Sequence, residues 1–209
     1  MNKLILIGAG GHSRAVIAAA LLSKKWKIEG ILDLNYQESK DESILDIPVI
    51  GSIDKLRNLS QKDISIFISI GDNKTRQNLL KESFIGAFNK ANIIHPNSLI
   101  DKTAELGDLN FIGPFANIGP SVKIGNCNII NSYANIEHES KIGNFSQIAP
   151  GAVICGRCNI RDNVYIGANS TIIQGLSINS NNIVGAGSVI NTNINYTGKT
   201  IVGVPGKPI

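Results

Sequence analysis

Hydrophobic residues follow two regimes along this chain, and the change lies near residue 91. Before it, short apolar runs alternate with Gly-containing breaks and longer mixed stretches. Lys3–Ile7, Ile28–Leu32 and Ile64–Ile70 read as strands, with a shorter apolar stretch at Ile47–Ile50 closed by Gly51. Ser13–Leu22 and Thr75–Asn89 read as helices. Continuously apolar strands separated by helices predict a parallel sheet covered by those helices.

Beyond residue 91 the pattern repeats. Every sixth position from Ile94 to Ile190 is Ile, Leu or Val, seventeen positions with no insertion. Chance gives this phase on the order of one time in a billion. The following position is Gly at 107, 113, 119, 125, 143, 167 and 185, and two positions earlier the residue is mostly small, as at Ala116, Ala134, Ser140, Ala152 and Ser170. Six residues make one short strand and one corner. The aliphatic residue points inward, the small one fits beside it, and Gly or Asn takes the corner. Three sixes bring the chain back above itself as a triangular coil of 18 residues, and about five such coils stack from Ile94 to Ile190. The spacing itself does not set the hand of the coil.

Composition sharpens this. Of 209 residues, 43% are apolar, 17% charged and 5% aromatic. With 36 Ile, 24 Asn and 21 Gly, the core is aliphatic and the chain rich in residues that tolerate tight corners, which disfavours a helical bundle. The net charge of +4 is mild, and no Lys/Arg run or basic–aromatic stripe points to nucleic acid. Three cysteines argue against a disulfide scaffold and fit a reducing cytoplasm. The apolar stretch 15–22 follows a Gly-rich turn and is too short to span a membrane.

A few residues carry candidate chemistry. Gly8-Ala9-Gly10-Gly11-His12 follows a strand and opens a helix, which sets backbone N–H groups where a phosphate can bind. A dinucleotide fingerprint needs glycine at position 13, where Ser13 stands. Asp33 ends the second strand, where its carboxylate can accept from a ribose or base. His138 lies two residues after inward-pointing Ile136, near a corner, and its imidazole can take a proton from an attacking amine or hydroxyl. Glu139 beside it can hold the tautomer. Gly156 follows His138 by eighteen residues, so it shares its angular position one coil on, where a backbone N–H can meet a developing oxyanion. Cys155-Gly156-Arg157-Cys158 is one CxxC pair, too few ligands for a zinc site, and Cys158 occupies a small inward slot of the repeat. His95 reads as a junction contact.

Several segments resemble one family. Leu4–His12 (LILIGAGGH), Ile28–Leu34 (IEGILDL), Ile47–Ser52 (IPVIGS), Ile68–Asn73 (ISIGDN), Ile94–Pro96, Glu137-His138-Glu139 followed by Ile142-Gly143, and the tail Gly203–Lys207 look like the hexapeptide-repeat acyltransferases. Within these they resemble the sialic acid O-acetyltransferase and UDP-amino-sugar N-acetyltransferase subfamily, over essentially the whole chain. The resemblance implies an α/β Rossmann-like domain over residues 1–91 that binds a nucleotide-sugar acceptor. It implies an all-β left-handed parallel β-helix over residues 92–209 that binds acetyl-CoA and carries catalysis. His138 would then be the general base, Glu139 its partner and Gly156 the oxyanion donor. Gln147, Ala168 and Ala186 would contact acetyl-CoA, the alanines through backbone groups. Gly10, Gly11, His12, Asp33, Leu34 and Gly71 would meet the acceptor. The family also implies a homotrimer with sites between neighbours, direct transfer, no metal and a cytoplasmic location.

The expected activity is acetyl-CoA-dependent N-acetylation of a UDP- or dTDP-linked 4-amino-4,6-dideoxy sugar, in bacterial surface-glycan or glycoprotein sugar biosynthesis. O-acetylation of sialic acid or a related sugar is the alternative. Glu137-His138-Glu139 looks like the amino-sugar enzymes, whereas the sialate enzymes tend to Gly-His-Asp. The amino-sugar enzymes, however, carry His where Gln147 stands. Two other uses of such a coil fit less well. A zinc hydratase like the γ-class carbonic anhydrases needs three converging His, and only His138 lies well inside the coils. An ice-binding surface wants regular Thr arrays, and the coils hold only Thr103, Thr171 and Thr192.

Overall fold

The structure is a computed structural model that describes residues 1–38 and 41–209. It divides into two compact units, Met1–Pro96 and Asn97–Ile209.

The first unit is a twisted α/β sheet. Its elements are β1 (Asn2–Ile7), α1 (Gly11–Ser23), β2 (Trp26–Asp33), β3 (Ser43–Ile44), β4 (Ile47–Ser52), a 3₁₀ turn (Ile53–Asn58), β5 (Ile64–Ile68), α2 (Asn73–Leu80), α3 (Ser83–Gly86) and β6 (Asn89–Lys90). The strand order is β3-β4-β2-β1-β5-β6, parallel except for the β3–β4 hairpin. Leu4, Leu6, Ile7, Ile31, Leu32 and Ile66 are fully buried, as continuously apolar strands between helical layers require. Helix α1 buries Val16, Ile17, Ala19 and Ala20. Two differences from the sequence reading stand out. The helix expected over Thr75–Asn89 ends at Leu80, because Glu82 takes extended backbone (φ −67°, ψ 120°). The chain then turns through α3, and Asn89–Lys90 joins the sheet edge beside β5. The β3–β4 hairpin closes on Leu45 and Asp46, both left-handed (φ 48° and 64°), the geometry of a type I′ turn without its usual Asn-Gly signal.

The second unit is the coil that the six-residue pattern predicts. Up to Ile190 the two-residue strands stack in parallel at an interval of 18, as in Asn117↔Asn135 and Asn135↔Val153; in the last coil it shortens, as at Ile183↔Thr200 and Ile178↔Ile194. The first face contains Phe111–Ile112, Ile129–Ile130, Gln147–Ile148, Tyr165–Ile166 and Ile183–Val184. The second contains Asn117–Ile118, Asn135–Ile136, Val153–Ile154, Thr171–Ile172 and Val189–Ile190. The third contains Glu105–Leu106, Lys123–Ile124, Lys141–Ile142, Asn159–Ile160 and Ser177–Ile178. The inward residues form fully buried columns such as Ile136, Ile154 and Ile172. The small residues two positions earlier are buried too, and the polar ones hold corner amides one coil on. Ser140 Oγ accepts from Cys158 N (3.1 Å), and Asn128 Oδ1 accepts from Ser146 N (2.7 Å).

The corners correct one detail. The left-handed residue is three positions after the aliphatic one, not the glycine that follows it directly. From Leu109 to Gly187 every such position has positive φ, including Phe115, Tyr133, Glu139 and Arg157. The glycines at the next position are there for space. A Cβ on Gly167 would lie 2.5 Å from Ala186 N and 2.6 Å from Val184 O, both backbone atoms of the next coil.

Gly167→Ala should therefore destabilise the protein by roughly 1–3 kcal/mol, the usual scale of overpacking. Gly86→Ala, where a Cβ meets nothing within 4 Å, should stay within about 0.5 kcal/mol of the parent. Urea unfolding of both variants checks this; a Gly167→Ala protein as stable as the parent would show that the coils can move apart.

Candidate active site

In the first unit, β1 hands over to α1 through the glycine turn. Gly8 is left-handed in φ (111°), and a side chain there would run into Ile70. Gly10 and Gly11 instead face open space. That space is a cleft of about 420 Å³, lined by Gly10, Gly11, His12, Asp33, Leu34 and Gly71 together with Gly8, Asn35, Ile70 and Thr75. All six residues singled out as acceptor contacts thus border one cavity. Helix α1 opens into it with no side-chain cap and no acidic residue in its first turn, so its positive end faces the cavity. Asp33 ties the wall together: Oδ2 accepts from Ala9 N (2.6 Å) and Oδ1 from Asn35 N (2.8 Å).

Behind this wall lies a cation that sequence reading missed. Arg76 is fully buried; its guanidinium donates to the carbonyls of Ile70 (3.1 Å) and Gly71 (2.7 Å) and to Asn73 Oδ1 (2.8 Å). It fixes the loop that carries Gly71. Burial, and secondarily the charge of Arg76, lower the pKa of His12 from 6.5 to about 4. His12 therefore offers the cleft a neutral imidazole at pH 7. The signal for Arg76 in the sequence was only its place one turn into a helix capped by Asp72, whose side chain accepts from Thr75 N.

The second unit places His138 and Glu139 on the corner between its second and third faces, both exposed. Ile136 and Ser140, buried on either side, anchor the corner. His138 Nδ1 lies 3.1 Å from Glu139 Oε2, and Arg157 Nε donates to that same oxygen at 2.8 Å. The bonds from Arg157 first and His138 second hold the Glu139 carboxyl below the usual carboxylate range. An ionised carboxylate only accepts, so in a neutral ring this contact favours the proton on Nδ1 and the lone pair on Nε2. Gly156 is buried one coil on, and a Cβ there would lie 2.5 Å from His138 Nε2. The imidazole rests on the space a side chain would fill. Arg157 is the second residue that sequence reading missed, although eighteen residues separate it from Glu139.

Gln147 is half-buried on the first face. Ala168 and Ala186, one coil apart, stand on the corner between the first and second faces. Within one chain the whole second face separates that corner from His138, so the structure does not bring these three to the imidazole. Cys158 fills the buried column, its Sγ 3.2 Å from the Ile173 carbonyl, and burial pushes its thiol pKa up. Among the described residues no three His, Cys, Asp or Glu side chains are grouped to hold a metal ion, and no helix is long and apolar enough to cross a membrane.

Comparison with known proteins agrees with this layout. Residues 3–83 match the PglD N-terminal domain, and residues 157–192 match the bacterial transferase hexapeptide (six repeats). UDP-N-acetylbacillosamine N-acetyltransferase of Bacillus subtilis (strain 168) is 26% identical over 110 residues, which are 52% of this chain and 50% of that protein. The match thus spans about half the length of the curated relative. The acetyltransferase domain of PglB from Neisseria gonorrhoeae FA1090 superposes with a TM-score of 0.91 at 28% identity, covering 100% of both chains. PerB from Caulobacter crescentus, solved with CoA and GDP-perosamine, gives 0.91 at 27% identity over 100% of this chain and 98% of its own. Fold and matches define an α/β domain followed by a left-handed β-helix of hexapeptide repeats. More particularly, the chain is similar to acetyltransferases that join a PglD-type N-terminal domain to such a helix.

The buried imidazole in the cleft has a consequence for stability. His12 is neutral when folded down to about pH 4, whereas the unfolded chain takes up that proton near 6.5. Stability from this site is therefore complete above 6.5 and is lost as pH falls toward 4, by about 3 kcal/mol in all. Urea unfolding at pH 7 and pH 4.5 should show a smaller acid loss for His12→Gln than for the parent. Equal losses would mean that His12 is charged in the folded protein.

Proposed function

We propose that this chain is an acetyl-CoA-dependent N-acetyltransferase acting on the amino group of a nucleotide-linked 4-amino-4,6-dideoxy sugar, in bacterial surface-glycan or glycoprotein sugar biosynthesis in the cytoplasm. One observation carries the reading: His138 presents Nε2 directly over the buried Gly156 while Glu139 accepts from Nδ1. That is the arrangement of a general base beside a possible oxyanion donor. The relatives support the substrate class. One is named for a UDP-linked amino sugar, and another was solved with a GDP-linked one and CoA.

In this mechanism the neutral amine attacks the thioester carbonyl carbon. His138 Nε2 takes the proton that the nitrogen sheds, and the imidazolium is stabilised by ionised Glu139. The oxyanion of the tetrahedral intermediate meets the Gly156 N–H. Its collapse breaks the C–S bond, and the departing thiolate recovers a proton from the imidazolium. The products are the amide and free CoA, with no covalent enzyme intermediate. The diphosphate of the acceptor lies against the α1 N-terminus, where Gly10 and Gly11 let it reach backbone N–H groups. Asp33, Leu34 and Gly71 border the nucleoside side of the same cleft.

Acetyl-CoA runs along a corner, and this reading requires a second copy. The second face has uncharged outward residues, Asn117, Asn135, Val153, Thr171 and Val189, whereas the third carries Glu105, Lys123 and Lys141. A homotrimer with the second face turned inward sets the His138 corner of one copy beside the Ala168 and Ala186 corner of the next. Those alanines then lie roughly 8 and 13 Å along the axis from His138, at about 4.8 Å per coil. That is the run of a pantetheine arm, with Gln147 on the adjoining face.

Free-thiol release from acetyl-CoA should be measured against UDP-, dTDP- and GDP-linked 4-amino sugars and against sialic acid, on protein whose mass is fixed by light scattering. The expected result is a particle of three chains that releases thiol only with nucleotide amino sugars. Turnover with sialic acid alone would make it an O-acetyltransferase, and a monomer with full activity would remove the shared site.

A further inference from the structure

We infer that Arg157 is a positioning residue for the base: it holds Glu139 so that the carboxylate captures Nδ1 of His138 and leaves Nε2 free to accept a proton. The inference rests on the reading of His138 given above. Arg157 is tied to the pair twice. Its backbone N–H donates to the His138 carbonyl (2.9 Å), and its Nε donates to Glu139 Oε2 (2.8 Å), the oxygen that also faces Nδ1. Both ties follow from the repeat. Glu139 and Arg157 occupy the same corner position in successive coils, both with φ 60°. The left-handed corner turns their side chains outward together.

The other charged or titratable groups near the ring do not replace this arrangement. Glu137 is turned along the second face, where its Oε1 accepts from Asn135 Nδ2 (2.8 Å). Asn135 in turn accepts from Asn117 (2.7 Å), so that carboxylate belongs to a separate ladder. Cys155 precedes Gly156 and is half-buried. Glu139 is the carboxylate on Nδ1, and it is an exposed side chain with several rotamers of its own. An exposed ion pair contributes little to stability. The value of the Arg157 contact lies in geometry: without it the carboxylate swings into solvent. A free neutral imidazole in water favours the proton on Nε2, and that tautomer has no lone pair to offer at the reacting side.

The test reads the tautomer on the protein without substrate. Protein carrying ¹⁵N-labelled histidine is examined by NMR at a pH where the rings are neutral, and His138 is assigned by the signal that His138→Ala removes. The parent should show Nδ1 protonated and Nε2 bare. Arg157→Gln should move His138 toward the Nε2–H form and lower kcat roughly 10- to 100-fold, the cost of a misplaced group, with both KM values within about twofold. Arg157→Lys, which keeps charge and a donor but not the planar fork, should fall between the two. Arg157→Met carries the same test should the Gln variant fold poorly. A bare Nε2 in Arg157→Gln with kcat within about twofold of the parent would overturn the inference. Should no amino sugar be turned over by any variant, the functional reading fails, while the tautomer change still decides what Arg157 does to the ring.

Discussion

The parallel amide ladder with a register of eighteen is the constraint on which the second unit depends. Asn117 N donates to Ala134 O, Asn135 N to Ala152 O and Val153 N to Ser170 O, at 2.8–2.9 Å. Once that register is set, each residue has a neighbour eighteen positions away at the same angle, one coil distant. Bulk must then be managed down columns rather than along the chain. Ile fills the inward column, Ala, Ser, Cys or Asn the one beside it, and Gly stands where backbones come too close for a Cβ. The His138 corner follows the same rule. His138 stacks on Gly156 and Glu139 on Arg157, so the ladder places the imidazole, its carboxylate and that carboxylate's cation together with no loop to hold them. A site on so rigid a lattice needs little reorganisation, which favours proton transfer at fixed geometry.

The first unit solves a different problem by different means. Its cavity comes from a strand-to-helix turn, whose glycines leave backbone N–H groups uncovered by side chains. Three devices stiffen that turn: Asp33 bonded to Ala9 and Asn35, Ser13 Oγ bonded to the Gly10 carbonyl, and buried Arg76 bonded to the Ile70 and Gly71 carbonyls. The cavity gathers positive potential from a helix end and a shielded cation while its own histidine stays neutral. An anionic, extended ligand suits such a wall. The first unit thus offers a cleft and the second an ordered corner.

Much of this was legible in the sequence because the coil is periodic. A phase repeated seventeen times leaves the strands, the inward column and the partners eighteen residues apart almost without freedom. What escaped is what periodicity does not encode. The left-handed position falls on Phe115, Tyr133, Glu139 and Arg157, residues that announce no such backbone, and the conspicuous glycines serve close approach instead. In the first unit the helix read through Asn89 breaks at Glu82, and the Leu45–Asp46 turn lacks glycine; tertiary packing outweighs local preference at both. Arg76 and Arg157 went unread for opposite reasons. The first is one of two cations in a short helix, the second a charge on a repeat where attention falls on the aliphatic positions. The placement of Gln147, Ala168 and Ala186 away from His138 within one chain was invisible in one dimension, since three faces look alike as six-residue words.

The central claim is that a histidine fixed on one corner of the coil is the base for acyl transfer. Turnover of His138→Ala, measured beside its acetyl-CoA affinity by calorimetry, tests this most directly. The account predicts a loss of roughly 10²–10⁴ in rate with affinity for acetyl-CoA unchanged. A variant that keeps more than about half of the parent rate would contradict it and place the base elsewhere.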